Sequence, residues 1–157
     1  MKRLITVVIV LALPICALAL IEQQWTASEL RAQAEVIVIA TPVEVKDTAE
    51  RVALLGVAHA GQTTNIMYTG IETTFRTLAV EQGSMRTNTF VLHHYHLAEP
   101  EKVARYQIYD IGYLWFEPKD KKRYRLFLRR EDDGRYAPVS EQWHPALSVQ
   151  EVQGAQP

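Results

Sequence analysis

Hydrophobic and polar positions alternate along most of this chain, and a period of two marks strands with one buried face. The clearest case is the stretch RYRLFLRREDDGRYAPV at residues 123–139. Tyr124, Leu126 and Leu128 fall on one side, Arg123, Arg125 and Arg129 on the other. Asp132-Asp133-Gly134 then predicts a hairpin turn, because glycine takes the positive φ that tight turns need. Tyr136 and Val139 open the return strand, with Pro138 at its edge or end. Upstream, AEVIVIATPVEVK at residues 34–46 carries four β-branched residues in a row, Val36 to Ile39, as in a strand covered on both faces. Pro42 predicts a bend or bulge within it. Residues 52–57 form a short strand candidate, and the polar run 62–65 has the look of a loop.

Residues 66–80 make a long strand whose apolar face changes near Thr77, from Ile71, Thr73 and Phe75 to Leu78 and Val80. Such a switch is how a β-bulge shows itself in sequence. Further strands are expected over residues 87–97, 105–116 and 147–152. A short helix is expected over 26–34, with Thr26 or Ser28 as its cap and Glu29 in the first turn. The expected fold is mainly β: a small OB-like barrel of about five or six antiparallel strands with a short N-terminal helix. A β-sandwich is the alternative.

At the N-terminus, Lys2 and Arg3 precede an uncharged run, LITVVIVLALPICALALI, over residues 4–21. Ala17 and Ala19 are small residues at the two positions a signal peptidase reads, so residues 1–19 are expected to be a secretory signal peptide. The alternative is an uncleaved anchor, since the run is about as long as a bilayer-crossing helix. Either way the domain, residues 26–150, lies outside the cytoplasm, and residues 151–157 form a flexible tail. Cleavage removes Cys16, the one cysteine, so thiol catalysis is excluded; it also moves the formal charge from −1 to −3. Neither value draws the chain toward nucleic acid.

The succession of helix, AEVIVIATPVEV, GIETTFRTLAVEQG, TFVLHHY and KKRYRLFLRREDDGRYAPVSEQ resembles a group of exported bacterial proteins of unassigned function. Their layout is similar to that of netrin-like modules, which include the tissue inhibitors of metalloproteinases. The resemblance implies an OB-type five-stranded barrel with flanking helices. Those inhibitors reach the protease zinc through an N-terminal cysteine, which the mature chain lacks, so protease inhibition does not carry over.

Two features are candidates for chemistry. His93-His94-Tyr95-His96 places His94 and His96 on one side of a strand, where two imidazoles at i and i+2 are a partial zinc or copper site. The plainer expectation is that His93 and Tyr95 line the barrel while His94 and His96 are solvated. Lys121, Arg123, Arg125 and Arg129 belong to a basic run with which Glu117, Asp120, Glu131, Asp132 and Asp133 interleave. The plainer expectation there is a solvated strand face, and the alternative is a binding surface for anionic lipid or polysaccharide. Glu72 sits inside a strand, where an arginine such as Arg76 or Arg105 is its expected partner. No nucleophile elbow or phosphate-binding loop is present in the sequence. The expected function is that of a non-catalytic binding module of the cell envelope. Its partner is a protein or envelope component and not nucleic acid; the membrane is met only through an uncleaved N-terminal segment. A metal-binding protein is the alternative, and an envelope enzyme the remaining one.

Overall fold

The computed structural model describes residues 25–59, 62–98, 114–142 and 145–152. In chain order these form α1 (Ala27–Gln33), β1 (Val36–His59), β2 (Gln62–Gln82), β3 (Thr89–Leu97), β4 (Tyr124–Arg130), β5 (Tyr136–Pro138) and β6 (Val149–Glu151). Single 3-10 turns at Pro118–Asp120 and Pro145–Ser148 precede β4 and β6. Hydrogen bonding runs β1-β2-β3-β5-β4 and returns from β4 to β1, so five strands close a ring, with β6 added along β4. This is a small OB-like barrel. All its ladders are antiparallel except that between β3 and β5, where Leu92 and Tyr136 pair in parallel.

Two apolar layers explain the sequence patterns. Inside the ring pack Val36, Val38 and Ala40 of β1, Phe75 of β2, Phe90 and Leu92 of β3, and Tyr124, Leu126 and Leu128 of β4. Phe116 plugs this core, edge-on to Phe75 at 5.0 Å and to Tyr124 at 5.1 Å. Ile37 and Phe127 point the other way, into a second cluster closed by Leu30 and Ala34 of the helical segment, with Trp25 against it. Residues 36–38 are therefore covered on both faces, as the unbroken β-branched run requires. The helix starts in a capping box: Thr26 Oγ1 accepts from the Glu29 N–H, and Glu29 accepts in return from the Thr26 N–H at 2.7 Å.

The expected elements and the observed ones differ at three places. Residues 52–57 and the polar 62–65 are the ends of one long hairpin, not a short strand and a loop. Main-chain pairing from Val57↔Thr64 to His59↔Gln62 holds this hairpin regardless of side-chain polarity. The bulge expected near Thr77 is present, with Leu78 the extra residue between Ala79↔Ile39 and Thr77↔Ala40. Leu78 and Val80, however, do not turn to a second buried face; both are about 45 % exposed. Leu114 to Phe116 carry no strand pairing, and the rest of the expected strand 105–116 lies outside the described residues. So do the N-terminal run and residues 153–157.

The β4–β5 hairpin is as expected. Gly134 has φ +92°, and the Glu131 N–H donates to the Arg135 carbonyl. Gly83, at φ +76°, ends β2 under the Glu35 carbonyl, where a Cβ has no room.

Candidate functional site

The histidine cluster is built by a bulge. Between Asp47↔Ile71 and Arg51↔Thr69, β1 carries two more residues than β2, which lifts Glu50 out of the ladder. Thr48 Oγ1 holds the bulge by donating to the Gly70 carbonyl at 3.2 Å and accepting from the Glu50 N–H at 3.2 Å. Gly70, which pairs with Tyr95, leaves the space over which Glu50 reaches β3. There the Tyr95 hydroxyl donates to Glu50 Oε1 at 2.5 Å.

His93 sits between two carboxylates and is almost wholly buried. Glu50 Oε2 stands 3.0 Å from its Nε2, at ion-pair distance but off the line of a ring hydrogen bond. Glu131 Oε2 lies 3.0 Å from its Nδ1, and Gln142 Nε2 is 2.7 Å from that same nitrogen and from Glu131 Oε1. Beyond them Arg135 bridges Asp133 at 2.7 Å and Glu72 at 3.2 Å, and Glu72 meets Lys46 at 2.8 Å. The Lys46 ammonium, with Arg135 behind it, holds Glu72 below the usual carboxylate range. The partners of Glu72 are thus Lys46 and Arg135 rather than Arg76. Burial, then Glu50, keeps the Tyr95 phenol protonated far above its usual pKa.

The other two histidines lie on the opposite side of β3. His94 is the reverse of solvated: it is 1 % exposed, edge-on to Phe116, with Nε2 2.9 Å from Thr73 Oγ1. Burial, and then the neighbouring His93 and His96, push its pKa down to about 3, so it is neutral. His96 faces Asp47, Nε2 to Oδ1 at 3.4 Å, beside the exposed Trp115. The strand therefore sends His94 and His96 the same way, but each finds its own partner. Among the described residues no three acidic, histidine or cysteine side chains gather as a metal site. A zinc or copper ion on His94 Nε2 has to displace Thr73.

The basic run is divided by its partners. Arg125 is clamped on Glu81 through Nε at 2.9 Å and a second nitrogen at 2.8 Å, and Arg31 approaches the same carboxylate at 3.9 Å. Arg129 is exposed at the far end of β4. Lys121 and Arg123 instead line a groove of about 390 Å3 with Thr41, Pro42, Val43, Arg76, Leu78 and Pro118. Among the described residues no acid pairs with Arg76, Lys121 or Arg123. Val43 and Leu78, 43 % and 46 % exposed, give the groove an apolar floor.

Lys121 also has φ +51°, a left-handed backbone that glycine adopts at lower cost. It closes the 3-10 turn whose start is capped by the Glu117 carboxylate. A second groove, of about 410 Å3, lies by the β4–β5 turn, but Arg135 there is paired with Asp133 and Arg130 stacks on Tyr136.

The two places have opposite chemistry. In the His93 cluster most polar groups are answered by another from the same chain; His93 Nε2, which faces the Glu50 carboxylate without a hydrogen bond, is the exception. The cluster ties the β1 bulge, β3 and the segment after β5 together. The groove presents cations with no acid partner among the described residues. Sequence reasoning named Lys121 and Arg123 but missed Arg76, Val43 and Leu78, which only the β4-β1-β2 neighbourhood brings beside them. It also missed Glu50, for which Gly70 inside a strand run was the available signal. No protein-family model, curated protein or solved structure matches this chain.

Proposed function

We propose that this protein is an extracytoplasmic, non-catalytic binding module of the cell envelope, and that the groove between β4, β1 and β2 is its contact surface. The observation that carries the reading is the set of three cations, Arg76, Lys121 and Arg123, that have no acid partner among the described residues and surround the exposed Val43 and Leu78. Single exposed cations are ordinarily just solvated, but a contiguous basic and apolar groove fits an anionic partner. The positive-then-apolar N-terminus supports the compartment, and a barrel closed in the order β1-β2-β3-β5-β4 supports the netrin-like resemblance. The His93 imidazole is buried and held on its Nδ1 side by Glu131 and Gln142, which supports a structural rather than a catalytic role for the cluster. Phosphate-backbone partners are disfavoured by the compartment and by Glu50, Glu72, Glu131 and Asp133 across β2–β3, the face on which OB barrels bind strands.

The test is photo-crosslinking in living cells, with a photoreactive residue in place of Leu78 or Lys121 and a control at Asp132. Adducts with one envelope component are expected at the two groove positions and not at the control. Equal labelling at all three, or none in the groove, sinks the reading. Lys121→Gly is expected to hold or slightly raise the melting temperature, because glycine accepts the left-handed φ, while weakening the Leu78 adduct. A fall in melting temperature without loss of the adduct would assign Lys121 to stability instead.

A further inference from the structure

We infer that the occupant of the groove is the anionic surface of a lipid bilayer, so that the barrel lies with its β4-β1-β2 face on the membrane. The inference rests on the groove being the contact surface and on the N-terminal run being kept as an anchor. Three observations meet in it.

The first is the groove's own chemistry. Arg76, Lys121 and Arg123 surround Val43 and Leu78, a cationic rim on an aliphatic floor. Anionic headgroups answer the rim, and the boundary between headgroups and acyl chains answers the floor. A purely acidic chain such as polyglutamate answers only the rim.

The second is the length of the tether. The uncharged run ends at Ile21, and only Glu22, Gln23, Gln24 and Trp25 separate it from the helix cap at Thr26. Four residues reach at most about 14 Å when fully extended, so an anchored run holds the barrel against the bilayer rather than at a distance.

The third is where α1 attaches. Gln82 Nε2 donates to the Arg31 and Ala34 carbonyls at 3.2 and 2.8 Å, and Arg31 approaches Glu81 at 3.9 Å. These bonds hold the C-terminal end of α1. The tether enters at its N-terminal end, where Trp25 packs on the cluster of Ile37 and Phe127, which point to the same side of β1 and β4 as Thr41 and Arg123. The tether and the groove share one side of the molecule.

The experiment uses the full chain in nanodiscs of phosphatidylcholine, alone or with one-third phosphatidylglycerol. An environment-sensitive fluorophore is placed at Leu78→Cys in a Cys16→Ser background, with Asp132→Cys as the control. The expected result is a blue shift and several-fold protection from iodide quenching at position 78, only in the anionic discs, reversed by high salt. Arg76→Gln/Lys121→Gln/Arg123→Gln should abolish the protection while the melting transition is kept. The charge-reversed triple variant serves the same purpose if it also melts cooperatively. In cells, membrane-bound protein that still carries residues 1–19 is expected.

Equal exposure in both kinds of disc, or release by cleavage after Ala19, overturns the membrane assignment. If polyglutamate then protects position 78, and the triple variant loses that protection, the groove stands as a contact surface for acidic polypeptide. If neither probe protects it, the groove reading falls as well.

Discussion

At the scale of single residues, burial decides which side chains tolerate change. Leu126 is 0 % exposed and packs at the centre of the ring between β1 and the aromatic plug. An aspartate there must lose its hydration with no partner, at a cost of several kcal/mol against a total stability of about 5–15 kcal/mol. Leu126→Asp is expected to remove the cooperative thermal transition; a retained transition would place Leu126 on the wrong face. His94 makes a pH prediction. Its folded pKa, about 3, lies below the 6.5 of an unperturbed imidazole. The unfolded chain therefore binds the proton first as pH falls. The stabilising effect is full above about pH 6.5 and declines toward pH 3, by up to about 1.4 kcal/mol per pH unit. Urea titrations across that range should show the slope in the wild type and a flatter line in His94→Gln. Parallel lines would mean that some other group governs the acid limb.

At the scale of elements, the β1 bulge is the feature with the most consequences. It is possible because Gly70 has no side chain: a Cβ there would stand 2.5 Å from Thr48 Oγ1 and 3.2 Å from Glu50. Gly70→Ala is expected to push the bulge outward, break the Tyr95–Glu50 bond and cost about 1–3 kcal/mol, in the range of overpacked sites. Denaturant melts measure the cost, and loss of slow amide exchange around residues 48–50 locates it. An unchanged melt would show that the bulge adapts freely and that the His93 cluster does not depend on it. The β4–β5 hairpin was legible from alternation and from Gly134 alone. The bulge was not, because its cause is the approach of Glu50 to β3 across an intervening strand.

At the scale of the whole molecule, closure joins distant parts of the chain. Val36 pairs with Leu128 and Ala40 with Tyr124, so the ring cannot form until almost all of the described sequence is in place. Such non-local pairing slows folding, and refolding is expected on the millisecond-to-second scale rather than in microseconds. Stopped-flow fluorescence would read it, and a submillisecond phase carrying the full amplitude would contradict it. Closure also makes the groove. Arg123 comes from the start of β4, Thr41 and Val43 from β1, Arg76 and Leu78 from β2, and no local pattern links the three segments. The sequence named Arg125 with Lys121 and Arg123 in one basic run, but only the closed ring separates them. Glu81, distant in sequence, neutralises Arg125 and leaves Lys121 and Arg123 open.

The sequence by itself determined the strands with strict alternation, the capped helix, the inward Tyr124, Leu126 and Leu128, and the barrel class. Those features follow from period, propensity and turn chemistry, which act over a few residues. Tertiary structure alone decided the fate of the polar groups. Whether a histidine is buried, an arginine neutralised or an exposed leucine given cationic neighbours depends on side chains that meet only when the ring closes. Closure buried His94, bracketed His93 with acids, and set Arg76 beside Lys121 and Arg123 around Leu78.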